Sequence, residues 1–153
     1  MSTQKTVMVG DVPFGGDNPI AFIMGPCQLE NRDHAMMMAE RVANACAPTG
    51  SKFVFKTSYD KANRSSITSA RGIGMDEGLR ILGEVRDTFS CPVITDVHEV
   101  SHCAPAAEVV DVIQIPAFIW IHFASCICIC SNLPTANINC FQASFCMLYR
   151  MVS

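Results

Sequence analysis

Lys52-Phe-Val-Phe-Lys-Thr57 is a short apolar run that ends in polar residues, and it decides the fold class. A run of this length without regular polar alternation is typical of a strand that is buried on both faces of a parallel sheet. Three similar runs surround it, at residues 21–25, 92–98 and 112–118. The sequence therefore predicts four buried strands.

Segments with helical periodicity separate these strands. Asn31 can cap a first helix, which Pro48 and Gly50 would end, and Asp76 and Glu77 suit the start of a second helix. The apolar positions of the two helices recur at helical spacing: Ala35, Met38, Ala39, Val42 and Cys46, then Leu79, Leu82, Val85 and Phe89. A short helical piece at residues 104–110 completes an alternation of strands and helices, which predicts an α/β fold with a parallel sheet.

Composition limits the partners of the chain. It has 153 residues, a net charge of −3 and a hydrophobic fraction of 50%, which together indicate one globular domain rather than a disordered chain. Without a basic surplus, nucleic acid is not expected as a partner. We expect no membrane span, because polar residues interrupt the apolar stretch at 113–133, and a cytoplasmic location, because no export signal is visible.

The last part of the chain differs from the rest. Residues 119–153 contain Arg150 as their only Lys, Arg, Asp or Glu, together with five of the nine cysteines. The run Cys126-Ile-Cys-Ile-Cys130 lacks the paired spacing of a zinc site. We therefore interpret these cysteines as reduced thiols without a specific role. We treat residues 1–118 and 119–153 as two unlike pieces.

Polar side chains gather after the predicted strands. Cys27 follows the first strand, the segment 56–66 follows the second, Asp96 and His98 close the third, and Gln114 lies on the fourth. In parallel sheets, binding sites form beyond the carboxyl ends of the strands. Four strand-helix units are half of those that close an eight-stranded barrel.

Three of these features suggest chemistry, and each also has an ordinary structural explanation. Lys56, Lys61 and Arg64 with neighbouring amides and hydroxyls suit a phosphorylated sugar, although a solvated loop has the same composition. Asp96 and His98 lie two residues apart on one strand face and can position water or transfer a proton, although Asp96 can also cap a helix. Cys27, taken alone, is more ordinary as a buried small hydrophobic residue than as a metal ligand.

Several motifs together resemble one family of enzymes. They are Gly25-Pro-Cys-Gln-Leu-Glu30, Phe55-Lys-Thr-Ser-Tyr-Asp-Lys-Ala-Asn-Arg-Ser-Ser66, Arg71-Gly-Ile-Gly-Met-Asp-Glu-Gly78, Ile94-Thr-Asp-Val-His-Glu99 and Val109-Val-Asp-Val-Ile-Gln-Ile-Pro-Ala-Phe118. In this order and spacing they resemble 3-deoxy-D-manno-octulosonate 8-phosphate synthases. The resemblance runs from about Val7 to Phe118 and stops there.

The resemblance implies a (β/α)₈ TIM barrel that condenses phosphoenolpyruvate with arabinose 5-phosphate and releases phosphate. It implies that Lys56 and Lys61 hold phosphoenolpyruvate, and that Asp96 lies near the reacting centre. We take Lys61, Asp96 and His98 as the candidate catalytic residues, with His98 included because it lies two residues from Asp96. The remaining substrate-binding positions that it implies are Asn63, Arg64 and Ser65 for the sugar phosphate, and Gln114, Pro116 and Ala117 for the pocket wall.

The resemblance also bears on metal binding. The family has a metal-dependent branch with a cysteine at one position, and Cys27 matches it. This implies a divalent transition metal with Cys27 as a ligand, whereas the family's other ligands, a His, a Glu and an Asp, are not identifiable here.

From the resemblance we expect a partial barrel of about four units in residues 1–118, with a tail from a shifted reading frame or a joined segment, or else a genuine divergent ending. We expect such a chain to be inactive alone and prone to self-association, whereas intact relatives form homotetramers. Two alternatives remain open: a 3-deoxy-arabino-heptulosonate 7-phosphate synthase, which uses erythrose 4-phosphate, and a non-catalytic phosphate-binding remnant.

Overall fold

A computed structural model describes residues 5–60 and 72–115 in full, and the backbone of residues 137–142 and 146–151. Its strands are β1 (Val7–Val9), β2 (Val12–Phe14), β3 (Phe22–Met24), β4 (Phe53–Lys56), β5 (Val93–Asp96), β6 (Val112–Ile115), β7 (Asn137–Gln142) and β8 (Cys146–Met151). Its helices are α1 (Arg32–Cys46), α2 (Met75–Phe89) and α3 (Cys103–Val109), with 3₁₀ turns at Ala47–Thr49 and Val100–His102.

The four strands predicted from the apolar runs form a parallel sheet in chain order. Strands β3, β4, β5 and β6 are neighbours, and all three pairings between them are parallel. The predicted parallel α/β sheet is therefore confirmed. The prediction that all four strands are buried is wrong for β3, whose Phe22 and Ile23 are exposed, because β3 has a neighbour on one side only among the described strands. The strands are shorter than the runs that predicted them, and His98 lies two residues beyond the end of β5.

Local signals account for the two long helices. The Asn31 side chain caps α1 by accepting a hydrogen bond of 2.9 Å from the backbone N–H of His34. After α1, the 3₁₀ turn contains Pro48 and leads to Gly50 at a φ of 63°, a left-handed conformation that favours glycine. Helix α2 begins after Gly74, one residue earlier than Asp76 suggested.

The two faces of the sheet are covered differently. The face that includes Phe55, Val93 and Ile113 packs against the apolar sides of α1, α2 and α3. On the other face, Val54, Ile94 and Val112 pack against Val9 and Val12 of the β1-β2 hairpin. The hairpin thus covers the apolar part of this second face, and the carboxyl ends of the strands extend beyond it.

The described backbone continues the sheet past β6. Strand β8 pairs antiparallel with β6, and β7 pairs antiparallel with β8. The sequence did not predict these two strands. Among the described residues, no helix is both long and apolar enough to cross a membrane.

Candidate functional site

Strand alternation places a polar group on the hairpin-covered face of the sheet. Lys56, Asp96 and Gln114 each follow, by two residues, an apolar residue of that face, and residues two apart on a strand share a face. Asp96 is in register with Gln114 on the neighbouring strand. The face is therefore apolar near the amino ends of the strands and polar at their carboxyl ends.

Lys56 and Asp96 meet at this carboxyl edge through Ser58. The Lys56 ammonium donates a hydrogen bond of 2.9 Å to Ser58 Oγ and one of 3.3 Å to Asp96 Oδ1. Ser58 Oγ in turn donates to Asp96 Oδ1. The Lys56 and Asp96 side chains are 22% and 12% exposed, so the pair is shielded from bulk water yet still reachable.

His98 completes the cluster at the second carboxylate oxygen. Its Nε2 atom lies 3.1 Å from Asp96 Oδ2. Burial by itself would raise the pKa of Asp96, but hydrogen bonds from His98 and Ser58 and the charge of Lys56 outweigh burial and lower the pKa to about 2. Asp96 is thus a carboxylate at neutral pH, able to orient the imidazole and accept further hydrogen bonds.

Tyr59 lies behind this cluster, on the helix-covered side of the sheet. It is 1% exposed, and its hydroxyl lies 3.0 Å from His102 Nδ1. Burial, and next the charge of Asp96, raise the pKa of Tyr59, so the phenol remains protonated. Sequence reasoning missed both Tyr59 and His102, because no motif brings residues 43 positions apart together.

Ser58 was also missed, although the sequence carried a signal for it. Ser58 follows Lys56 by two residues, and an extended chain through them places both side chains on one face. Ser58 also forms a parallel bridge with Gln28, and its carbonyl accepts a 2.8 Å hydrogen bond from the Leu29 N–H. The segment after β3 therefore reaches the same edge of the sheet.

Cys27 lies in that segment with an exposed side chain. Its interpretation as a buried small hydrophobic residue is wrong. In the described part of the chain, no three His, Cys, Asp or Glu side chains come together as a metal-binding group. The described residues thus provide Cys27 as a single accessible thiol and do not by themselves fit a metal centre.

Six predicted site residues fall outside the described residues. They are Lys61, Asn63, Arg64, Ser65, Pro116 and Ala117. Of the predicted site residues that are described, the structure brings together Lys56, Asp96 and His98 by direct contact, and Gln114 by strand register.

A cavity of about 460 Å³ lies at the opposite edge of the sheet, near the amino ends of β3 and β4. Its wall includes Met8, Ile20 and Lys52. The Lys52 ammonium is held by the carboxylate and the backbone carbonyl of Asp11. Both lysines are paired with a carboxylate, but the Lys52 side chain is 49% exposed whereas that of Lys56 is 22% exposed. Because solvent screens a charge more strongly when it is exposed, this cavity has less to offer an anion than the edge at Lys56.

Comparison with known proteins gives consistent matches. A model of the DAHP synthetase I family matches residues 2–125.

Among curated proteins, the chain is similar to 2-dehydro-3-deoxyphosphooctonate aldolases from three organisms. It is 53% identical to that of Shewanella amazonensis over 115 residues, which is 75% of this chain and 41% of that protein. For Granulibacter bethesdensis the identity is 51% over 115 residues, with shares of 75% and 41%. For Rickettsia bellii it is 47% over 116 residues, with shares of 76% and 42%. The chain therefore spans less than half the length of the curated relatives that it matches.

Proposed function

The chain belongs to the DAHP synthetase I family, and on that premise we propose that it binds phosphoenolpyruvate at the carboxyl edge of its sheet. We propose further that it takes part in condensing this substrate with arabinose 5-phosphate and water, to give 3-deoxy-D-manno-octulosonate 8-phosphate and phosphate. The shielded Lys56–Ser58–Asp96 contact is the observation that carries the proposal. The names of the similar curated proteins support the eight-carbon product.

Lys56 is the anion-binding group in this proposal. A lysine ammonium has three N–H donors, and two of them point to Ser58 and Asp96. The third donor has no partner among the described residues, and we assign it to a carboxylate or phosphate oxygen of the substrate. Fixing the ammonium in advance lowers the entropy that is lost when the anion binds.

Asp96 and His98 serve as the proton-handling pair. The Asp96 carboxylate faces His98 Nε2, which leaves His98 Nδ1 as a buried atom with no partner among the described residues. A buried polar atom of this kind costs free energy unless a ligand or water satisfies it. We assign Nδ1 to hold or move a proton on the substrate or on the water that enters the product.

The sugar phosphate and the rest of the pocket follow from the resemblance. Lys61 is assigned to phosphoenolpyruvate and the reacting centre, and Asn63, Arg64 and Ser65 to arabinose 5-phosphate. Gln114, Pro116 and Ala117 are assigned to the pocket wall. The register of Gln114 with Asp96 supports its place beside the cluster.

We also propose that Cys27 is one ligand of a divalent transition metal. The metal would supply Lewis-acid chemistry at the aldehyde or at water. The exposure of the Cys27 thiol supports access for a metal. The described residues provide no complete ligand set, so no step above depends on the metal. Titration with Co²⁺ tests this part, because a thiolate-cobalt absorption band that is lost in Cys27→Ser would support the assignment.

The larger assembly is likewise proposed by family. In this proposal, the four parallel strands and their helices correspond to part of a (β/α)₈ barrel. The protein is also proposed to form a homo-oligomer and to be located in the cytoplasm. The parallel order of β3 to β6 supports the barrel.

Binding is tested separately from turnover. We expect titration calorimetry to show phosphoenolpyruvate binding that is weakened about tenfold or more in Lys56→Gln, since a charge-assisted hydrogen bond is lost. Lys52→Gln is the matched control, because Lys52 begins the same run but lies at the opposite edge of the sheet. Equal binding by Lys56→Gln and the unsubstituted chain, or no binding by the latter, would refute the proposed site.

Turnover is tested by phosphate release that requires both substrates. Because the chain spans less than half the length of the curated relatives, we expect no release from the chain alone. When the chain is joined to the remaining part of such a relative, we expect arabinose 5-phosphate to support release better than erythrose 4-phosphate, whereas a preference for erythrose 4-phosphate would favour the heptulosonate alternative. Binding of phosphoenolpyruvate without any release from the joined protein would favour a non-catalytic phosphate-binding role.

A further inference from the structure

We propose that Tyr59 is a positioning residue that holds the His98 imidazole against Asp96, with its ring packed on His98 and its hydroxyl anchored to His102. For its catalytic meaning this inference rests on the function proposed above. Its structural content stands independently, because it concerns the orientation of one imidazole in the free protein.

Contacts on two sides of Tyr59 support this role. The Tyr59 ring meets the His98 ring edge-on, with centroids 6.5 Å apart and an interplanar angle of 78°. It meets the His102 ring at 5.8 Å and 62°, while its hydroxyl lies 3.0 Å from His102 Nδ1. Tyr59 therefore contacts both histidines of the segment that leaves β5.

The position of Tyr59 is itself tightly constrained. A Cβ atom on Gly78 of α2 would lie 2.3 Å from the Tyr59 Cβ atom. A Cβ atom on Gly72 would also lie 2.3 Å from the Tyr59 carbonyl oxygen. Two glycines thus let the chain close around Tyr59, which makes the residue a rigid reference for the histidines that pack on it.

The hydrogen bonds of His98 do not by themselves fix the orientation of its imidazole ring, so packing against a rigid neighbour is needed. One ring nitrogen faces Asp96, and the other is buried with no partner among the described residues. An imidazole held at a single nitrogen can pivot about that contact, so packing must set its tilt. The Tyr59 ring supplies packing on His98, and the hydroxyl contact with His102 keeps the segment in place.

Imidazole ¹⁵N–¹H spectra of the full chain test the inference without any substrate. The chain has four histidines, and single His→Gln variants assign their signals. At a pH where histidine is neutral, we expect a slowly exchanging Nε2–H signal from His98, bonded to Asp96, that is lost in Tyr59→Leu. The signals of His34, which lies on α1, serve as the internal control.

A second variant keeps the test decisive if Tyr59→Leu fails to fold. Tyr59→Phe retains the ring and removes the hydroxyl, so the His102 Nδ1 signal should shift while the His98 Nε2–H signal persists. Unchanged signals of both histidines in Tyr59→Phe would overturn the inference. A folded Tyr59→Leu that keeps the His98 signal would also overturn it.

The outcome is distinguishable from failure of the proposed function. If the unsubstituted chain does not bind phosphoenolpyruvate but Tyr59→Leu loses the His98 signal, positioning stands and the proposed function fails. If the unsubstituted chain binds phosphoenolpyruvate and folded Tyr59→Leu keeps the signal, the function stands and the positioning role is refuted.

Discussion

Lys56 and Asp96 contact each other across two neighbouring strands although they are not partners in register. Lys56 of β4 is aligned with Ile94 of β5, so Asp96 lies two residues further toward the carboxyl edge of the sheet. The Lys56 side chain extends across to it, with Nζ 3.3 Å from Asp96 Oδ1. A long flexible side chain can make this diagonal contact, whereas a short one cannot. The arrangement moves a positive charge to the edge where ligands approach.

The stabilised carboxylate should make folding sensitive to acid. The pKa of Asp96 is lowered from 3.8 to about 2 in the folded chain, so its stabilisation is present above pH 4 and is lost as the pH falls toward 2. The shift corresponds to about 2 kcal/mol. We expect Asp96→Asn to lower the free energy of unfolding by about this amount at pH 7, and by almost nothing at pH 2.

Urea unfolding across this pH range measures the effect. Asp87→Asn is a suitable control, because the Asp87 side chain is 74% exposed and its neighbour Arg86 is also at the surface. Parallel stability curves for Asp96→Asn and the unsubstituted chain would contradict the role given to Asp96.

The strands and the centre of the site could be predicted from the sequence for a physical reason. Residues two apart on a strand share a face, so Lys56 after Val54 and Asp96 after Ile94 indicate a polar edge beyond an apolar core. Parallel pairing then brings these two residues together, as the contact confirms. This reasoning needs only local periodicity and the alignment of strand ends.

Contacts set by tertiary packing could not be predicted in the same way. The Tyr59–His102 contact depends on how closely α2 approaches the sheet at Gly78, and no local pattern encodes that distance. The pairing of β8 with β6 could not be predicted either, because local sequence does not specify which strand edge β8 pairs with. Cys27 shows a related limit, because cysteine is usually buried whereas here it is exposed.

Two glycines of α2 should respond oppositely to alanine. At Gly83, the nearest atom to an added Cβ is Val109 Cγ1 at 3.5 Å, an ordinary contact, so the helix propensity of alanine should stabilise the chain by about 0.5–1 kcal/mol. At Gly78, the added Cβ would lie 2.3 Å from Tyr59, so overpacking should destabilise the chain by about 1–3 kcal/mol.

Thermal or urea unfolding of Gly78→Ala and Gly83→Ala measures this difference, and each variant is the control for the other. If both substitutions stabilise the chain, α2 does not approach Tyr59 as closely as described.

The cysteines of the described residues should differ in reactivity. Cys27 is exposed and Cys91 is buried, and burial together with the nearby charge of Asp111 raises the pKa of Cys91 to about 11. Because the thiolate is the nucleophile, Cys91 should stay unmodified at pH 8 under conditions that alkylate Cys27.

Mass spectrometry of the peptides after brief iodoacetamide treatment distinguishes the two thiols. Unfolding in urea should remove the difference, which shows that burial and not local sequence protects Cys91. Equal labelling of both residues in the folded chain would contradict the burial of Cys91.

The outer edge of β3 should promote self-association. Among the described strands, β3 has a neighbour on one side only, and its Phe22 and Ile23 are 38% and 40% exposed. An unpaired edge with apolar side chains can pair with another chain, and a lysine there opposes pairing by charge and solvation. Ile23→Lys should therefore reduce the weight-average mass measured by static light scattering, with little change in unfolding free energy because the site is exposed. Met37→Lys is the matched control, since Met37 is also 40% exposed but lies on α1. A stable monomer before any substitution, or an equal reduction by both variants, would show that association does not proceed through the β3 edge.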